Sequence, residues 1–79
     1  MTTGDDELRK MAEFEARAEQ AYDEMHETRF PGGLFGDVKD FFALAIGAAE
    51  RAGRPDEVAR LTKRLEHCRE VYRKHFSSA

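Results

Sequence analysis

The chain has 79 residues, one cysteine and a net charge of −3. That length allows one domain and only a marginal core, and the lone Cys68 excludes a disulfide staple and fits a reducing compartment. Hydrophobic residues make up 41% and charged residues 37%, mixed in sign, which excludes disorder as the default.

β-branched residues are scarce, whereas alanine, glutamate, arginine and leucine are frequent, so an all-α fold is expected. The N-terminus, MTTGDDELRK, lacks the basic and apolar regions of a signal peptide. The longest apolar run, FFALAIGAA, is about half of what a membrane span requires. A soluble cytoplasmic protein with no membrane partner is expected.

The first helix is expected over about residues 5–28. Leu8, Met11, Phe14, Ala18, Ala21, Tyr22 and Met25 fall within roughly 140° of a helical wheel, with acids opposite. Thr3 can cap it, and Asp5, Asp6 and Glu7 suit the positive end of the helix dipole. Glu15 is out of place inside the apolar arc.

Phe30, before Pro31, must leave the helical region, so FPGGLFGD reads as a corner. Phosphate binding there would need a preceding strand and a glycine–lysine or GxGxxG spacing; neither is present, and Asp37 would repel phosphate. Two readings remain. Phe30, Leu34 and Phe35 close the open end of the bundle, or the crowd of Phe30, Leu34, Phe35, Phe41 and Phe42 marks an interface. Phe30, Leu34, Phe35 and Phe42 are the candidate partner-binding residues.

Asp37 as N-cap and Asp40 at N3 would open the second helix, expected over 38–52. Its apolar residues cover about half the wheel, as in a helix packed on two sides. Gly53 ends it and Pro55 opens the third helix, expected over 55–76 with a seam of Val58, Leu61, Leu65, Cys68, Tyr72 and His75 or Phe76. The stretch AERAGRPDEVARL locally resembles the corner of a tetratricopeptide-type hairpin. Ala49, Gly53 and Val58 fall where that repeat prefers small or apolar residues. There is one copy, where a solenoid needs three or more, so the resemblance implies hairpin physics. The expected architecture is a single three-helix domain over 1–79, the last two helices forming a tight hairpin.

Catalytic and metal patterns are weak. Asp23 and His26 stand at i, i+3, but no second such pair exists. Cys68 and His75 are about 10.5 Å apart by helix rise, too far for one ion. Cys68 fits a small apolar core residue. His67 lies beside it in sequence but about 100° away around the helix. No enzymatic activity, cofactor or metal is expected.

Charge is segregated. Residues 1–29 carry nine acids and four bases, residues 54–79 four acids and seven bases. Arg60, Lys63, Arg64, His67 and Lys74 share one side of the third helix, the pattern of a nucleic-acid stripe; the acidic chain disfavours that partner. The expectation is a small non-enzymatic interaction module, pairing with itself as a homodimer or with another protein. A nucleic-acid regulator is the alternative, and a metal or small-ligand carrier a weaker one. A 22-residue helix would overhang a 15-residue one, so Leu8, Met11, Tyr72 and Phe76 are expected to form the oligomer seam.

Overall fold

The computed structural model describes residues 3–76, which form three α-helices: α1 (Thr3–Met25), α2 (Pro31–Arg51) and α3 (Pro55–His75). The all-α class and the number of helices agree with the sequence reading, and α3 has nearly the expected limits. α1 stops at Met25, about a turn early. Asp23, Glu24 and Glu27 crowd its C-terminal end, where the dipole disfavours acids, and no basic residue stands in its last turn.

The larger correction concerns FPGGLFGD. It is not a loop: Phe30 is the N-cap of α2 and Pro31 its first residue. Phe30 has φ −125° and ψ 75°, and Arg54, ahead of Pro55, has φ −115° and ψ 78°. The two corners use one device, an extended residue before a proline whose fixed φ starts the helix. Asp37 and Asp40, expected as cap and capping-box acid, lie inside α2. Glycine in a helix costs about 0.5–1 kcal/mol relative to alanine. Leu34, Phe35 and Val38 offset that by packing on the core.

The helices are therefore 23, 21 and 21 residues long. No short central helix leaves overhanging ends, and the argument that made Leu8, Met11, Tyr72 and Phe76 a seam does not hold.

α2 ends as expected. Gly53 has φ +70°, the Arg54 N–H donates to the Ala49 carbonyl and the Gly53 N–H to the Glu50 carbonyl, both at 3.0 Å. This 6→1 and 5→2 pair is the Schellman termination.

The core comprises Met11, Ala18, Ala21, Val38, Phe42, Ala45, Ala48, Ala49, Leu61 and Cys68. α2 contributes five of these and is the shared neighbour of the other two helices. The tightest pair is α1 with α2, not α2 with α3. Alanines on both sides let the α1 and α2 backbones approach, whereas α3 meets its neighbours through leucines, rings and arginines. The radius of gyration is 13.4 Å, against roughly 11.6 Å for a compact chain of this length.

Candidate functional site

α3 occupies one side of the α1–α2 pair. Arg60 Nη1 and Nη2 donate to the Glu15 carboxylate at 2.7 and 2.9 Å, and Arg64 Nε and Nη2 donate to Glu19 at 2.7 Å each. Arg60 also reaches Glu57, and the Arg64 guanidinium lies 5.0 Å over the Tyr22 ring. Glu15, misplaced by sequence, is thus the α1 end of an ion pair within the chain. The Arg60 bond is the main cause that holds its carboxyl below the ordinary 4.5, against the opposing effect of partial burial. Hydrogen bonds to carboxylates raise both arginines above their ordinary value.

Rings close one end of this side. Phe35 stacks on Tyr72 at 4.0 Å and 2°, and Tyr72 on Phe76 at 5.9 Å. The His26 ring stands edge-on to Tyr22 and Phe76, at 4.8 and 5.3 Å, and its Nδ1 donates to the Tyr22 carbonyl at 2.9 Å. At the other end of α1, Glu7 is 7% exposed and accepts from Arg51 Nε at 2.7 Å, with Lys10 at 3.5 Å. The Arg51 bond is the largest cause lowering its pKa.

The opposite side of the α1–α2 pair carries a different surface. Phe30 is 84% and Leu44 47% exposed, the two exposed large hydrophobics among the described residues. Between them along α2 lie Leu34 and Phe41, both half-buried. Phe41 stacks on Phe14 of α1 at 6.5 Å, and the Arg17 guanidinium lies 5.9 Å over its ring. A groove of about 370 Å³ runs here, lined by Arg17, Ala21, Leu34, Asp37 and Phe41 among others.

The structure thus divides the residues singled out by sequence. Phe30 and Leu34 lie on this open face. Phe35 is on the α3 side, committed to Tyr72. Phe42 is fully buried, a core residue with no surface for a partner, which corrects its place among the interface candidates. Of the expected seam, Met11 is buried and Leu8 half-buried against the core, while Tyr72 and Phe76 belong to the ring stack. Phe14, Arg17 and Leu44 escaped sequence reasoning. For Leu44 the signal is the 30–34–41–44 helical spacing, which shows only when residues 31–37 are helical; Phe14 and Arg17 join through their tertiary contacts with Phe41.

Other chemistry is sparse. Burial pushes the Cys68 thiol up to about 11, so it carries no thiolate at neutral pH. Among the described residues no three His, Cys, Asp or Glu side chains converge as metal ligands would, and no helix is long and apolar enough to cross a membrane. Of the basic stripe on α3, Arg60 and Arg64 already hold carboxylates, and Glu66 and Glu70 interleave with Lys63, His67, Arg69 and Arg73. No family model, curated protein or solved structure matches the chain.

Proposed function

We propose that the chain is a non-enzymatic helical interaction module that docks a protein partner on the open α1–α2 face. The carrying observation is Phe30 at 84% and Leu44 at 47% exposure, flanking the half-buried Leu34 and Phe41 on one helix side. An exposed aliphatic–aromatic stripe gains by being covered, at about 25 cal/mol per Å² of apolar surface removed from water. The α3 side lacks such a stripe because its rings and seam residues are used within the chain.

The test compares wild type with a Phe30→Ser, Leu44→Ser variant as bait in native lysate. One dominant species, retained near stoichiometrically by wild type and lost by the variant, is expected; that species can be the chain itself. Equal retention would place the partner elsewhere. Nucleic-acid binding through α3 is the competing reading. Salt-sensitive micromolar binding to random DNA, abolished by Lys63→Glu with Arg69→Glu, would reverse the ranking.

A further inference from the structure

α2 and α3 are joined at a single residue. The Arg54 N–H completes the α2 cap on the Ala49 carbonyl at 3.0 Å, and the Arg54 carbonyl accepts from the Glu57 and Val58 N–H groups, in the first turn of α3, at 3.1 Å each. The backbone bonds of the two helices therefore meet at Arg54. Turning its φ and ψ swings α3 as a unit and breaks neither set. Its ψ is 78°, and the region open to a residue before proline runs on to about 160°. Gly53, Arg54 and Pro55 are all exposed, and the Arg54 guanidinium pairs with Asp56 of α3 itself, at 2.9 and 3.1 Å, so it travels with that helix.

What holds α3 down is partly polar and long-range. Its fully buried residues are Leu61 and Cys68, where α2 has five. It reaches α1 through the ends of long side chains: Arg60 on Glu15, Arg64 on Glu19 and over Tyr22, and Phe76 against His26. Both ion pairs are bidentate but partly exposed, so salt screens them and ordering the side chains offsets much of their gain. The α1–α2 pair has contacts of its own: Glu7 with Arg51, Phe14 with Phe41, and the buried alanines. α3 also carries its own end signals, Pro55, Asp56 and Glu57 at the start and Arg73, Lys74 and His75 in the last turn.

We propose that α3 is a releasable cover, which swings off the α1–α2 pair about Arg54 as one unit while α1 and α2 stay together. This motion is independent of the docking role of the Phe30–Leu44 face. Release separates Phe35 from Tyr72 and Tyr22 from Arg64. Rings now covered then form a second apolar surface, on the other side of the pair. Release also bares the Cys68 thiol, fully buried in the closed form.

Cys68 makes the release measurable. It is the one cysteine of the chain, and a buried, protonated thiol does not react. A thiol reagent therefore marks only molecules in which α3 has moved or the whole chain has unfolded. The two events differ in the surface they expose, and the dependence on urea scales with that surface. Release of one helix of three should show about half the urea slope of global unfolding or less.

The test is native-state labelling of Cys68 with a methanethiosulfonate reagent at one fixed pH, over a urea series below the unfolding transition. Global unfolding is followed in parallel by circular dichroism, which also confirms that each variant is folded. Wild type is expected to label about tenfold or more faster than its globally unfolded population allows. Arg60→Ala with Arg64→Ala should speed labelling about tenfold, and sodium chloride should speed wild type in the same direction. Lys63→Ala, on α3 but in no ion pair among the described residues, should leave the rate unchanged. Gly36→Ala, inside α2 with open space for a Cβ, should raise global stability without slowing labelling, because α2 stays helical when α3 leaves. Should the double arginine variant not fold, wild type and Gly36→Ala still decide.

Labelling that matches global unfolding in both free energy and urea slope overturns the releasable cover. So does labelling with no urea dependence that ignores the loss of both arginines, since only local breathing at Cys68 is then seen. If Gly36→Ala slows labelling as much as it stabilises the whole chain, α2 opens together with α3 and the cover is refuted. None of these outcomes bears on the Phe30–Leu44 face, whose own test is the retention of a partner.

Discussion

α1 meets α2 through alanines; α3 meets the pair through leucines, stacked rings and two arginines. Ala18, Ala21, Ala45, Ala48 and Ala49 are all buried, and short side chains bring backbones close. Across the α3 boundary the fully buried residues on α3 are Leu61 and Cys68, and Arg60 and Arg64 span the remaining distance to Glu15 and Glu19. The comparison teaches that one chain can hold helices in two ways. Close contact rests mainly on the size of side chains, with the Glu7–Arg51 pair as its one charged link among the described residues. Longer-range contact rests partly on half-exposed charge and responds to salt and pH.

The largest expected effect tests what the two boundaries share. Phe42 is fully buried, and Phe42→Ala should cost about 3–5 kcal/mol in urea unfolding, much of the stability of so small a domain. Leu61→Ala should cost about 2–5 kcal/mol but unevenly. In hydrogen exchange the α3 amides should lose protection first while α1 and α2 keep theirs. Uniform loss across the three helices would erase the distinction.

Overpacking probes the alanine boundary. Ala49→Leu should cost about 1–3 kcal/mol, because Ala49 is fully buried in the core, whereas Ala43→Leu on the exposed side should be near neutral. If both are tolerated alike, the boundary is not close-packed.

Glycines of the two corners should respond with opposite signs. Gly53 sits at φ +70°, so Gly53→Ala should destabilise by about 1 kcal/mol. Gly36 is helical and has open space where a Cβ would stand, so Gly36→Ala should stabilise by about 0.5–1 kcal/mol. Thermal unfolding of the two variants gives the signs directly.

The smallest effect belongs to the charged contacts. Arg60→Ala should cost about 0.5–1 kcal/mol at low salt and less at high salt. Glu15 and Glu7 both release their protons more readily folded than unfolded, through Arg60 and Arg51 respectively. Their contribution is therefore full above the ordinary 4.5 and lost as pH falls through and below it. Arg60→Ala should flatten the acid limb of the stability profile; an unchanged limb would mean that the Glu15 pair does not act in solution.

Much of this was legible. The corner at Gly53 and Pro55 was read correctly because each residue there has one dominant local reason for its place. Pro31 permits the same reasoning, but three nearby glycines read as a loop, since their helical propensity is poor. Propensity was outweighed by Leu34, Phe35 and Val38 packing on the core, which no local rule sees. That one error hid the Phe30–Leu44 stripe and made α2 look too short.

The sequence by itself determined three amphipathic helices and the chain reversal at Gly53, because period, proline and positive φ act within a few residues. Tertiary structure alone decided which helices lie closest, that Glu15 meets Arg60 within one chain, and that Phe42 is core while Phe30 is surface. Both phenylalanines belong to the same apolar crowd in sequence. What separates them is the side of α2 they occupy once α1 and α3 have packed against it, a long-range choice set by the sizes of residues far apart in the chain.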